Sequence, residues 1–280
     1  MLYVVNYANG EPYESFRKIN SRIAKWFGKA DEVIEYSIDD IPQSYKEAHA
    51  DIFKYKRGAG LWLWKPYTIN KALHEINEGD WLLYLDSGTT VIRDIHHLVK
   101  HAENQGVDIF LMEQPLLSRQ FTKRECYVKM GLEDHGDNQV LGLLLLLRKS
   151  LVSVKFIEEW LHLCEDEEML SPNHFHPDVE EFEDFYAHRE DQSILNLLRL
   201  KYDLPVYRDC SDYGEMPYMN ACTKYQYNPH VFDNCLYPTI ILCNRKVHPI
   251  IYWMKYLLKK IVSRMGLYYT EEKELRKRLG

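Results

Sequence analysis

Apolar and polar positions follow two rhythms along this chain. Leu2–Asn6 is a short, nearly unbroken apolar run, the pattern of a strand covered on both faces. From Tyr13 to Phe27, Phe16, Ile19, Ile23, Trp26 and Phe27 recur at three- and four-residue steps with basic residues between them, which predicts a helix. Glu32–Tyr36 reads as a second strand. Ser44–Lys56 reads as a polar helix, with Ser44 and Glu47 at capping-box spacing. Lys65–Asn77 predicts a stronger helix. Pro66 falls in its first turn, where proline is tolerated, and Ile69, Ala72, Leu73 and Ile76 make one apolar stripe. Glu78-Gly79-Asp80 is the turn that follows.

Trp81–Leu85 is almost wholly apolar, as the buried middle of a sheet requires. A helix is predicted over Ile92–Gln105, a strand over Asp108–Met112 and a helix over Thr122–Met130. Val140–Leu147 includes five consecutive leucines and ends at Arg148-Lys149. Its length and charged end predict a central strand rather than a membrane segment. Leu151–Leu163 reads as a helix with Phe156, Ile157, Trp160 and Leu161 along one side. Asp191–Leu200 is another helix, Leu204–Tyr207 a strand, and Thr239–Cys243 is strand-like. Strands alternating with helices predict an α/β fold, a mostly parallel central sheet flanked by helices. Ligands of such sheets bind beyond the carboxyl ends of the strands, which directs attention to residues 6–9 and 86–89. The organisation expected is one domain over residues 1–249 and a basic amphipathic helical tail over 250–280.

Composition changes this picture little. Of 280 residues, 46% are apolar, enough for a real core. A net charge of −7 gives no reason to expect nucleic acid as a partner. The 21 tyrosines suit stacking on bases and sugars, and suit strands equally. Charge is unevenly spread. Residues 158–191 hold thirteen acids and one arginine, whereas 245–280 hold ten basic residues and three acids. The cysteines at 126, 164, 210, 222, 235 and 243 form no C-x-x-C pair, which argues against a zinc cluster. The start shows no basic leader before an apolar stretch, and no run is long enough to span a bilayer. A cytoplasmic protein with reduced thiols is expected.

Three strings carry candidate chemistry. In Tyr84-Leu85-Asp86-Ser87-Gly88 a carboxylate leaves a buried strand and enters a tight turn. It would bind ribose hydroxyls or a divalent ion on a diphosphate, or merely make a turn hydrogen bond. Arg57-Gly58-Ala59-Gly60-Leu61-Trp62-Leu63-Trp64-Lys65-Pro66 sets two cations and two tryptophans before a helix start, where anions are favoured. It lacks the ending of a Walker loop. In His188-Arg189-Glu190-Asp191-Gln192-Ser193-Ile194-Leu195-Asn196, titratable groups and an amide crowd a helix start. Acids there also stabilise a helix by roughly 0.3–1 kcal/mol each. His174 and His176 are weaker metal candidates in an acidic loop. His248 is a late one, and Arg245 or Lys246 would instead touch phosphate.

Together, in this order, the three strings resemble a family of bacterial and viral glycosyltransferase-like proteins found with capsule and surface-polysaccharide genes. More distantly they are similar to glycogenin-like and lipopolysaccharide galactosyltransferases. Those carry Tyr-Leu-Asp-x-Asp at the end of a central strand and Asp-Gln-Asp-x-Leu-Asn later. The resemblance spans roughly residues 1–210. It implies a GT-A (Rossmann-like) fold that binds a nucleoside-diphosphate sugar, UDP-linked in the first instance, often with manganese or magnesium. Asp86, with Ser87 and Gly88, would lie near the ribose and the ion. Asp191 and Gln192 would face the transferred sugar and the acceptor. Asn6 and Tyr7 would lie near the base, and Arg57, Trp64 and Lys65 would face the donor. Two positions depart from the pattern: Gly88 stands for the second motif aspartate, and Ser193 for the last one. Either another ligand, His248 or a nearby acid, holds the ion with Asp86, or cations such as Arg57 and Lys65 neutralise the leaving diphosphate.

The reaction so implied moves a hexose to a glycan or lipid-linked acceptor, in capsule or lipopolysaccharide synthesis. Asp191, or Glu190 beside it, would take the acceptor's proton in an inverting enzyme, or Asp191 would orient the sugar in a retaining one. Two rivals stand beside this reading. One is a sugar nucleotidyltransferase, although Asn6–Gly10 lacks the glycine- and arginine-bearing loop usual there. The other is a non-catalytic carbohydrate-binding protein of the same fold. In the tail, Ile250, Met254, Leu257, Leu258 and Ile261 line one face among Lys255, Lys259, Lys260 and Arg264, with Trp253 alongside. Such a helix suits the inner face of an anionic membrane, and suits docking on its own domain or on a dimer partner equally.

Overall fold

The computed structural model describes residues 1–216 and 225–265. Among the described residues there are nine strands: β1 Leu2–Tyr7, β2 Glu32–Tyr36, β3 Trp81–Asp86, β4 Thr90–Val91, β5 Ile109–Leu117, β6 Asn138–Val140, β7 Leu144–Arg148, β8 Val206–Arg208 and β9 Ile241–Leu242. Seven form the central sheet, in the order β2-β1-β3-β7-β5-β6, with β8 paired to β5. Strands β1, β2, β3, β5 and β8 point one way, and β6 and β7 oppose them. The sheet is therefore mostly parallel in direction, with one antiparallel strand, β7, at its centre.

The longer helices are α1 Tyr13–Trp26, α2 Trp64–Glu75, α3 His96–Gln105, α4 Arg124–Met130, α5 Leu151–Cys164, α6 Glu190–Lys201 and α7 Pro249–Arg264. They flank the sheet because the strand residues alternate between two cores, as period-two geometry dictates. Val5, Leu82, Tyr84, Leu145 and Leu147 pack with Ile69 and Leu73 of α2, Phe156 and Trp160 of α5, and Ile194 and Leu198 of α6. Val4, Leu83, Leu85, Leu144 and Leu146 pack on the opposite face with Ala24 of α1 and Leu98 and Ala102 of α3. Both faces of the central strands β1, β3 and β7 are covered, so their sequences are apolar without alternation.

Several boundaries differ from expectation. Val140–Leu147 is not one strand: the chain leaves β6 at Val140, crosses Leu141-Gly142-Leu143, and re-enters the sheet as β7. The Ser44–Lys56 helix is two short turns, Gln43–Ala48 and Ala50–Phe53, broken at His49, whose ψ of 39° is not helical. Pro42 precedes the first turn with no side-chain cap, so the Ser44/Glu47 capping box does not form. The helix predicted from Ile92 starts at His96, where Asp94 accepts a hydrogen bond from the His96 N–H at 2.9 Å. The strand predicted over 108–112 extends to Leu117.

The described cysteines 126, 164, 210, 235 and 243 are free and buried; Cys222 lies outside the described residues, as do residues 266–280 of the tail. Helix α7 buries Tyr256 beside Ile92 and Leu242, sets Trp253 edge-on to Phe27 at 5.5 Å, and pairs Lys260 with Glu215 at 2.7 Å. Among the described residues no helix is long and apolar enough to cross a membrane.

Candidate active site

The carboxyl ends of β1 and β3 open into a cleft of about 1120 Å³. Its floor is a charge cluster. Asp86 ends β3, where its N–H donates to the Leu143 carbonyl at 2.9 Å and the Tyr84 hydroxyl donates to its Oδ1 at 2.6 Å. Asp191 is the second residue of α6, fixed by the indole of Trp160, which donates to its backbone carbonyl at 3.0 Å. Lys65 reaches in from the first turn of α2. Its Nζ lies 2.9 Å from Asp191 Oδ2, 3.1 Å from the Gly142 carbonyl and 3.5 Å from Asp86 Oδ1. Lys65 and Asp191 are each only 4% exposed.

Burial disfavours charge on both partners, and an opposite charge restores it. For Lys65, burial works against the ammonium, but Asp191 and Asp86 outweigh it, and the pKa rises above the usual lysine value. For Asp191, burial dominates and Asp86 and Glu190 add repulsion; Lys65 opposes them, leaving the carboxyl pushed up to about 6. Both groups are thus charged at neutral pH, with Asp191 close to its titration point.

The wall beside the floor is the segment before α2. Five successive residues, Gly58, Ala59, Gly60, Leu61 and Trp62, have φ between 49° and 92°. Three are not glycine, and a left-handed residue with a Cβ costs roughly 1–2 kcal/mol. Complete burial of Leu61 and Leu63, and a 2.8 Å bond from Trp64 Nε1 to the Gly58 carbonyl, hold the turn in place. The result aims Trp64 at Tyr7, rings stacked at 3.7 Å. It also aims Arg57 at Glu190, with Nε 2.6 Å from Oε1. Glu190 is itself left-handed, at φ 41°, and burial raises its carboxyl above the usual range although Arg57 pulls it down. Gln192 donates to the Val140 carbonyl at 2.8 Å and to Gln114 at 3.0 Å, and Arg189 donates to Gln114 at 2.9 Å.

A further part of the lining arrives from the far end of the described chain. Strands β4 and β9 pair antiparallel, and Thr90 donates to the Asn244 side chain at 2.8 Å. The Cys243 N–H donates to Asp212 at 2.8 Å. These bonds carry Arg245 over the β3 turn, where its N–H donates to the Gly88 carbonyl at 2.7 Å. A Cβ on residue 88 would lie 3.1 Å from Arg245 Cα and 3.3 Å from its carbonyl oxygen. A side chain at 88 would therefore need the Arg245 backbone to give by a few tenths of an ångström, and Arg245 and Lys246 stand exposed on the cleft lining.

Tyr7, Arg57, Trp64, Lys65, Asp86, Ser87, Gly88, Glu190, Asp191 and Gln192 all line this cleft. Asn6 does not. It is 2% exposed and buried in β1, because the residue that reaches the cleft is the next one, at the strand's end. His248 does not line it either. Past Arg245 the chain turns, the Val247 N–H bonding to the Asn244 carbonyl, and the exposed His248 sits edge-on to Phe16 at 6.2 Å. His174 and His176 lie with Glu125, Glu168 and Glu181, away from the lining. Sequence reasoning missed Gln114, Gly142 and the hydroxyl of Tyr84. Only Gly142 left a trace, as the one break in a run of leucines.

These residues do not suit a divalent ion. Such ions take six or more oxygens at roughly 2.0–2.6 Å. Here the Lys65 ammonium stands between Asp86 and Asp191, residue 88 is a glycine crowded by the Arg245 backbone, and His248 is not part of the cleft lining. Among the described residues no three His, Cys, Asp or Glu side chains gather as a metal site.

No family model and no curated protein matches the chain. Among solved structures it is similar to mouse xyloside xylosyltransferase 1 in its apo form, at 12% identity over 88% of this chain and 99% of that one, TM-score 0.44. It is also similar to the galactosyltransferase LgtC in complex with donor and acceptor sugar analogues, at 16% identity over 86% of each chain, TM-score 0.42.

Proposed function

We propose that this chain is a GT-A-type glycosyltransferase that moves a sugar from a nucleoside-diphosphate sugar to a glycan acceptor. The observation that carries the reading is the Asp86–Lys65–Asp191 cluster. It lies beyond the carboxyl end of a central strand, in a cleft lined by the stacked Tyr7 and Trp64 and by Arg245 and Lys246, which among the described residues have no carboxylate partner. Aromatic and cationic linings suit a base or sugar in one part and a diphosphate in another. The cleft's volume is ample for such a donor.

In the reaction the acceptor oxygen bonds to the anomeric carbon as the carbon–oxygen bond to the diphosphate breaks, through an oxocarbenium-like transition state. The diphosphate leaves with the electron pair, and Arg245 and Lys246 meet that growing charge. Asp191 takes the acceptor's proton; a carboxylate poised near 6 is suited to a base at neutral pH. Lys65 keeps Asp191 ionised beforehand and stays paired with Asp86 afterwards. Arg57 holds Glu190 in its ion pair, so Glu190 shapes the wall rather than moving the proton. The test is incubation with UDP-, GDP-, CDP- and ADP-linked sugars, following nucleotide release. No release and no binding with any donor would refute the reading.

The acceptor side has a surface of its own, which we assign to an anionic bilayer carrying a lipid-linked glycan. Helix α7 begins two residues after Val247 of the cleft lining, and it presents Ile250, Met254, Leu257, Leu258 and Ile261 to solvent. Trp26 is 86% exposed, beside the Phe27 that packs on Trp253. Lys255 and Lys259 flank the apolar stripe, and that charge complements anionic headgroups. Flotation with phosphatidylglycerol vesicles, but not with phosphatidylcholine, is expected. Flotation unchanged by Met254→Glu with Leu258→Glu would overturn the assignment.

A further inference from the structure

Lys65 is placed as no ordinary surface lysine is. Oxygens from three separate parts of the chain converge on its nitrogen: Asp191 Oδ2, the Gly142 carbonyl and Asp86 Oδ1, all within 3.5 Å. Tyr84, whose hydroxyl orients Asp86, also presents its ring 5.7 Å below the ammonium. This is a cation site whose cation is covalently attached to the protein. We propose that Lys65 is a built-in substitute for a divalent cation, and that the cleft binds a nucleoside diphosphate without metal. The proposal rests on the glycosyltransferase reading and deepens it.

Three observations support it. First, a divalent ion entering beside Lys65 would compete with a positive charge for the same two carboxylates, each already within 3.5 Å of the ammonium. Second, the β3 turn carries no second carboxylate: residue 88 is glycine, and a side chain there would crowd the Arg245 backbone at 3.1 Å. What arrives there instead is an arginine. Third, the work of a metal divides cleanly between two sets of residues. Lys65 gathers Asp86 and Asp191, and Arg245 and Lys246 face the diphosphate. Among the described residues neither of those two cations has a carboxylate partner; Arg245 rests over the Tyr213 ring at 5.6 Å.

The experiment uses the full chain and two titrations. Mn²⁺ alone is followed by electron paramagnetic resonance, with and without UDP, and UDP is titrated calorimetrically in EDTA and in MnCl₂. The expected result is no Mn²⁺ site tighter than about 1 mM, and a UDP affinity that EDTA changes by less than about twofold. Lys65→Ala should open a Mn²⁺ site that a second change, Asp191→Asn, closes again. Lys65→Met, nearer in volume, guards against a Lys65→Ala chain that fails to fold. A wild-type Mn²⁺ site lost in Asp191→Asn, or UDP binding tightened about tenfold or more by Mn²⁺, overturns the proposal. So does a folded Lys65→Ala chain that ignores Mn²⁺. Failure of UDP, GDP, CDP and ADP all to bind refutes the glycosyltransferase reading instead, while the Mn²⁺ titrations still decide the role of Lys65.

Discussion

Replacing Lys65 with methionine keeps most of the side chain's volume and removes its charge, leaving Asp191 and Asp86 without the ammonium between them. The size of the effect follows from Asp191. Its carboxyl is already raised from 3.8 to about 6 with Lys65 present. That difference corresponds to about 3 kcal/mol favouring the neutral form. The sign is that of a raised acid: its contribution to stability is full below 3.8 and is lost as pH rises through about 6. Without Lys65 nothing nearby offsets burial, so the pKa climbs further and the loss continues to higher pH. Above pH 6 the variant should fall behind the wild type by up to about 1.4 kcal/mol per pH unit. By pH 8 the gap should approach the roughly 3–5 kcal/mol typical of a broken buried pair. Near pH 5, where Asp191 is protonated in both, the gap should be small. Urea unfolding of both chains from pH 5 to 8 measures it. The double variant Lys65→Met with Asp191→Asn should recover most of the loss. A gap that does not change with pH, or a double variant no better than the single one, would refute the pairing.

Asp191→Asn should lower transfer by about 100-fold or more if Asp191 is the base, and in the wild type kcat/KM should fall as pH drops through about 6, where Asp191 gains its proton. Activity and the Asp191 share of stability should therefore move in opposite directions between pH 4 and 7, which parallel pH profiles would show. Arg245→Ala should weaken UDP binding by about tenfold, the scale of one charge-assisted contact, and leave the unfolding midpoint near that of the wild type. Gly88→Ala should cost about 1–3 kcal/mol by overpacking the Arg245 backbone, and should weaken UDP binding as well by shifting Arg245; equal affinity would separate turn packing from the diphosphate.

The sheet was legible because its strands are buried on both faces, and runs such as Trp81–Leu85 leave little other reading. The break at Leu141-Gly142-Leu143 was not, since a residue that exits a sheet and returns is as apolar as one that stays. Asp86, Lys65 and Asp191 were each visible as members of short strings. Their meeting was hidden: the contacts of Lys65 join the start of α2 to the end of β3 and the start of α6, and nothing in the order of residues encodes them. The cationic wall was hidden for a different reason. Arg245 reaches Gly88 through two-residue strands and a few side-chain bonds, too short for any periodicity. The same economy explains His248, which looked like a ligand by residue type and faces Phe16 once the chain turns at 244–247.

The left-handed run Gly58–Trp62 has a bearing on how a ligand would be met. A loop that orders only around its ligand subtracts that ordering from the affinity. Here the backbone is already committed: the Gly60 N–H bonds to the Tyr55 carbonyl at 2.9 Å, Leu61 to Arg57 at 2.9 Å and Trp62 to Gly58 at 3.2 Å. A Cβ on Gly58 would strike the Trp62 ring at 2.3 Å, so the turn has no space for a side chain at its tightest point. The entropy of assembling this wall is spent while the protein folds. An arriving donor would find Trp64 and Arg57 in position, and its association rate would be set by diffusion into the cleft and not by loop closure.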